Sequence, residues 1–129
     1  MEIQDLRLGN LIRISPRPNE EGVLFLAEIH PLSIIGVMLI PRQGYHFRIK
    51  FNEMLPLNIN EEWLFKFGFS GTAGNDVLTD KRNIFTIRPS TEDGTFLAGT
   101  DNSEKKVQFV HQLQNLYFEK TGEELSPRL

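Results

Sequence analysis

Apolar and polar residues alternate most strictly over His46-Phe47-Arg48-Ile49-Lys50-Phe51, with Phe47, Ile49 and Phe51 on one side and His46, Arg48 and Lys50 on the other. A period of two predicts a half-buried strand. Strand-length apolar runs precede it at Leu11–Ile14, Val23–Ile29 and Ser33–Ile40. The stretches between them carry turn-forming residues: Gly9-Asn10, the proline-containing Ser15–Gly22, His30-Pro31 and Arg42-Gln43-Gly44. Ser15–Gly22 reads as a loop on that composition. Four short strands with tight turns predict a curled antiparallel sheet or a small SH3-like barrel.

After Phe51 the period changes. Asn60-Glu61-Glu62-Trp63-Leu64-Phe65-Lys66-Phe67-Gly68 predicts a short middle helix, with Asn60 as its cap and Gly68 as its left-handed stop. Two glutamates in the first turn suit the positive end of the helix dipole. Trp63, Leu64 and Phe67 share one side, and Phe65 does not join them. Gly71–Lys81 is polar and reads as a loop, followed by strand-like segments at Asn83–Arg88, Thr95–Ala98 and Lys105–Phe109. A C-terminal amphipathic helix is expected over Val110–Lys120, stopped by Thr121-Gly122. Phe109, Val110, Leu113, Leu116 and Tyr117 fall in one arc, whose burial on a sheet contributes about 1.5–3 kcal/mol per large side chain. The fold expected is therefore α+β. With no internal repeat and no linker-like stretch, residues 1–129 read as a single domain.

Composition adds boundaries. At 129 residues, 40% hydrophobic and 24% charged, the chain can bury a core of its own. It has no cysteine, which excludes disulfides and thiolate zinc sites. The start Met1-Glu2-Ile3-Gln4-Asp5 lacks the basic and apolar pattern of a secretory signal, and no run approaches the roughly 20 apolar residues of a membrane helix. A cytoplasmic protein without a membrane partner is the expectation. Net charge is −3; residues 1–50 hold six basic and five acidic side chains, and the rest hold eight and twelve. No cluster of cations announces a duplex-binding surface.

The search for chemistry returns little. His30, His46 and His111 stand in no metal-ligand spacing. The pairs Glu20-Glu21, Glu61-Glu62, Glu92-Asp93 and Glu123-Glu124 are adjacent carboxylates that point apart, as solvated surface groups do. Gly68-Phe69-Ser70-Gly71-Thr72-Ala73-Gly74-Asn75-Asp76 is rich in glycine but lacks the Gly-Lys-Ser/Thr ending of a phosphate cradle. No G-x-S-x-G elbow occurs. No catalytic, cofactor-binding or metal-binding residue is therefore assigned, and the chain reads as non-enzymatic. The candidate interaction patch is the far side of the last helix, where Phe118 lies among His111, Gln114 and Asn115, an aromatic ringed by polar groups. A competing reading packs Phe118 under the C-terminal tail. The alternative is a nucleic-acid-binding face that uses Arg13, Arg48 and Lys50 on a curved sheet.

Three segments carry a resemblance: Leu6-Arg7-Leu8-Gly9-Asn10-Leu11-Ile12, Glu61-Glu62-Trp63-Leu64-Phe65-Lys66-Phe67-Gly68-Phe69 and Val110-His111-Gln112-Leu113-Gln114-Asn115-Leu116-Tyr117-Phe118 with the following Thr121-Gly122-Glu123-Glu124-Leu125. They resemble a set of uncharacterised small proteins of Bacteroides-type bacteria, many encoded by phages, prophages or other mobile elements. The matches cover about a quarter of the residues, and Asn83–Lys106 shows none. Asn60 stands where the set has a Thr or Ser cap, which serves the same position. The set has no assigned activity, so it supplies no site residue. The resemblance implies an accessory protein inside a bacterial cell, acting during infection or element maintenance; that it binds another protein is the expectation drawn from the missing chemistry and the mixed face around Phe118.

Overall fold

The alternating run becomes β4 (His46–Lys50), the outer strand of an antiparallel sheet whose other members are β1 (Leu11–Arg17), β2 (Glu20–Ile29) and β3 (Ser33–Ile40), in the order β1-β2-β3-β4. The computed structural model describes residues 5–17, 20–71, 76–100 and 103–128. Its chain divides into two compact units, Met1–Leu57 and Asn58–Leu129, each with its own sheet.

In the first unit each strand pairs with its chain neighbour, as tight turns dictate. Ile12, Ile14, Leu24, Leu26, Ile34 and Ile49 project from one face and form a core with Leu6 and Met54, while Met38 and Phe51 pack against it. Gly36 is required there: a Cβ would lie 2.8 Å from Leu24 Cδ1. The expected loop Ser15–Gly22 is mostly strand, because β1 runs on to Arg17 and β2 begins at Glu20. Pro16 is accommodated on an outer strand where the register shifts between Ile14 and Arg17. Pro18 and Asn19 lie outside the described residues.

The expected curled sheet or barrel is not what forms. Closure would need β1 to pair with β4, but the outer side of β1 is taken by Leu55, which exchanges two backbone hydrogen bonds with Arg13, N···O 2.9 and 2.8 Å. The sheet stays open. The later strand-like segments build a second open sheet: β5 (Leu78–Thr79), β6 (Thr86–Pro89), β7 (Phe96–Thr100) and β8 (Ser103–Val107), antiparallel and in chain order. Gly71–Lys81 thus contains a short strand. Its Thr72–Asn75 lie outside the described residues.

Both helices belong to the second unit. α1 (Glu61–Lys66) starts where Asn60 Oδ1 accepts the Trp63 N–H at 2.9 Å. Gly68 follows it with φ +91°. Trp63, Leu64 and Phe67 are buried, and Phe65 is exposed. α2 (Val110–Thr121) ends at Gly122 in the left-handed conformation and lies against β7. Its Tyr117 meets Phe69 and Phe85 in the buried interior, with ring centroids 6.2 and 5.0 Å away, and Ile87 and Ala98 are buried in the same unit. Among the described residues no helix is long and apolar enough to cross a membrane.

Candidate functional site

The patch expected on the far side of α2 is corrected at two of its four residues. His111 and Gln114 are buried, Asn115 is half-buried, and Phe118 is 39% exposed. For Gln114 the cause is the segment after Gly122, which folds back so that Leu125 is buried and its carbonyl accepts the Gln114 side-chain amide at 3.1 Å. The His111 ring stacks on Phe109, centroids 5.9 Å apart. Two of the four proposed patch residues therefore serve the interior. Phe118 does face solvent, alongside the exposed Glu119.

Beside this helix lies a cleft of about 310 Å³, lined in part by Asp80, Lys81, Arg82, Tyr117, Glu123 and Arg128. Asp80 is buried. Asp80 Oδ1 accepts the Ile84 and Phe85 N–H groups at 3.0 and 3.2 Å, and Oδ2 accepts the Tyr117 hydroxyl at 2.9 Å. Arg82 also approaches that hydroxyl and pairs with Glu123 at 3.2 Å. Burial first, and the bond to Asp80 second, push the Tyr117 pKa up. That is the opposite of an activated phenolate, and three hydrogen bonds tie the Asp80 carboxylate to the turn before β6 and to α2. Among the described residues no group of three or more His, Asp or Glu side chains gathers to hold a metal ion.

The cations Arg13, Arg48 and Lys50 all belong to the first unit. Pairing of Leu11 with Phe25, Phe25 with Val37 and Val37 with His46 sets one row across the sheet. Residues two apart share a face, so Arg13, Arg48 and Lys50 lie on the same side as that row. They stand at opposite edges, with half-buried Phe25, Ile35 and Val37 between them. Arg13 is ion-paired to Glu21 at 2.8 Å, and Arg48 donates to Ser33 Oγ at 2.8 Å. The face is shared, but one of its cations is neutralised.

Sequence reasoning missed the β4 edge itself. Every residue from Pro41 to Arg48 is exposed, including Tyr45 and Phe47. The Met38 N–H donates to the Tyr45 carbonyl at 2.7 Å, which sets the alternation: Tyr45, Phe47 and Ile49 bond inward to β3, and His46, Arg48 and Lys50 turn their backbone groups outward. The Lys50 N–H is taken by Glu53 Oε1 at 2.9 Å. Among the described residues, the outward groups of His46 and Arg48 meet no partner. Other edges differ. Leu55 bonds to the outer side of β1, and Ser70 bonds to Thr79 on β5. On β8, Glu104, Lys105 and Lys106 are ion-paired to Arg88, Glu119 and Glu92. The available signal was charge: residues 29–52 contain Arg42, Arg48 and Lys50 and no Asp or Glu.

Compared with protein-family models, with curated proteins and with solved structures, the chain matches none of them.

Proposed function

We propose that the chain is a non-enzymatic accessory protein that binds another protein, and that it does so through the open β4 edge of its first sheet. The observation that carries this reading is the pair of backbone positions, His46 and Arg48, that meet no partner among the described residues and are flanked by exposed Tyr45 and Phe47. An exposed strand edge is a template for an added strand: main-chain bonds give affinity and alternate side chains give selectivity. The bacterial, phage or mobile-element setting implied by the resemblance supplies the context of an intracellular partner. Phe118 on α2 is a secondary contact candidate, reduced by the burial of His111 and Gln114.

A photoreactive benzoylphenylalanine placed at Phe47, with Thr91 as an exposed control position, tests the reading in host cells. A discrete protein adduct at position 47 and none at 91, identified by mass spectrometry, supports it. Loss of any protein adduct at 47 removes it. The nucleic-acid reading has its own support in the shared face of Arg13, Arg48 and Lys50, and predicts nucleotide adducts at 47 instead. The Arg13–Glu21 pair and the apolar row between the cations weigh against it.

A further inference from the structure

We infer that the partner segment at β4 is an extended acidic peptide in which carboxylates alternate with apolar residues; this rests on the strand-addition reading above. Three observations fix the chemistry. Residues 29–52 carry three cations and no acid, whereas the rest of the chain carries 11 basic and 17 acidic side chains (14 − 3 = 11 against 17). Among the described residues Arg42, Arg48 and Lys50 form no ion pair, although the charges on β8 are all paired. Arg48 and Lys50, which project toward one face, therefore make an electropositive strip along the edge, bounded by the Glu53 carboxylate that accepts the Lys50 N–H. The opposite face of the same strand offers Phe47 beside the core.

An added strand has the same period of two as its template. Every second side chain of the incoming segment lies beside His46, Arg48 and Lys50, and the alternate ones lie beside Phe47. Carboxylates suit the first set and apolar groups the second. Because Glu53 already caps the Lys50 N–H, the free positions are His46 and Arg48, which also fixes where the segment sits. A second copy of this chain is disfavoured as the occupant, since pairing β4 with itself brings two cationic strips together.

The test uses the full chain and the fluorescein-labelled, C-terminally amidated peptide Thr-Glu-Val-Glu-Val-Glu-Thr, with versions carrying Lys or Gln for Glu and one N-methylated on alternate amides. Fluorescence anisotropy gives affinity, and amide hydrogen exchange gives location. The glutamate peptide binds tighter than the lysine peptide by about tenfold or more at low salt, and its advantage shrinks as salt is added. It slows exchange at His46 and Arg48, and N-methylation abolishes binding. Arg48→Glu with Lys50→Glu, both at exposed positions, reverses the preference toward the lysine peptide; Arg48→Gln alone weakens it. Equal binding of all three peptides, or glutamate binding without protection of His46 and Arg48, overturns the acidic partner. Tighter binding of an oligothymidylate of similar charge also overturns it. Absence of peptide binding while position 47 still crosslinks a protein retains the edge and rejects this chemistry; absence of both rejects both, and leaves the cations as guards against aggregation.

Discussion

Removing the hydroxyl of Tyr117 isolates one interaction with little collateral change. The ring stays among Phe85 and Phe69, with centroids 5.0 and 6.2 Å away, so Tyr117→Phe opens no cavity. What is lost is the 2.9 Å bond to Asp80 Oδ2. A hydrogen bond to a charged group contributes about 1.5–3 kcal/mol, and phenylalanine recovers little of it, so a loss of about 2 kcal/mol is expected. Asp80→Asn keeps an oxygen for the Ile84 and Phe85 amides while removing the carboxylate charge and the acceptor that faces the phenol. In the double variant the two losses overlap, giving a coupling of about 1 kcal/mol between contacting groups. Trp63 is the single tryptophan and lies in the same unit, so its fluorescence in urea reports the transition directly. A Tyr117→Phe loss below about 0.5 kcal/mol with additive behaviour of the double variant would refute the claim that this bond anchors α2 to the turn before β6.

Three further outcomes follow from the same physics. Asn60→Ala removes the oxygen that accepts the Trp63 N–H and costs about 1 kcal/mol in the same urea assay. Gly36→Ala drives a methyl to within 2.8 Å of Leu24 Cδ1 and 3.0 Å of its Cβ, and destabilises the first unit by about 1–3 kcal/mol, read by circular dichroism melting. Because the folded state raises the Tyr117 pKa above 10.0, stability from its neutral phenol is whole below that pH and falls as pH rises through the folded value. The tyrosinate absorbance that Tyr117→Phe removes therefore develops above pH 10.0, and a lower onset contradicts the burial argument.

Local signals made the helices legible. A side-chain cap at Asn60 and a left-handed Gly122 are written into single positions, and the apolar arc of α2 needed only its own residues. Leu78–Thr79 had no such mark: it is a strand only because Ile87 and Thr86 pair with it on one side and Ser70 on the other. The openness of the first sheet turned on Leu55, far along the chain from Arg13, and a window of neighbouring residues does not contain that bond. His111 and Gln114 were misread for the same reason. Their side of α2 looks polar in the helical period, yet Gln114 becomes interior where Leu125 returns over it, and the buried His111 stacks on Phe109.

The candidate site was the least legible element, and its chemistry explains why. A strand edge recognises through N–H and C=O groups that almost every residue possesses, so no residue type has to be present and no motif is left to find. Only the selectivity is written in side chains. Residues two apart on one face of a strand are about 7 Å apart. That spacing is shorter than the screening length of about 8 Å at physiological salt, so Arg48 and Lys50 act on an approaching segment together rather than singly. The relevant sequence feature is then a missing residue class across 29–52 in a chain that is acidic elsewhere. If the strip operates as one field, reversing Arg48 alone weakens the preference for the glutamate peptide by about half of what reversing Arg48 and Lys50 together does, because the remaining lysine still lies within a screening length of the same carboxylates. Equal effects of the single and double reversals would mean that Arg48 acts by itself, and the strip would have no collective role.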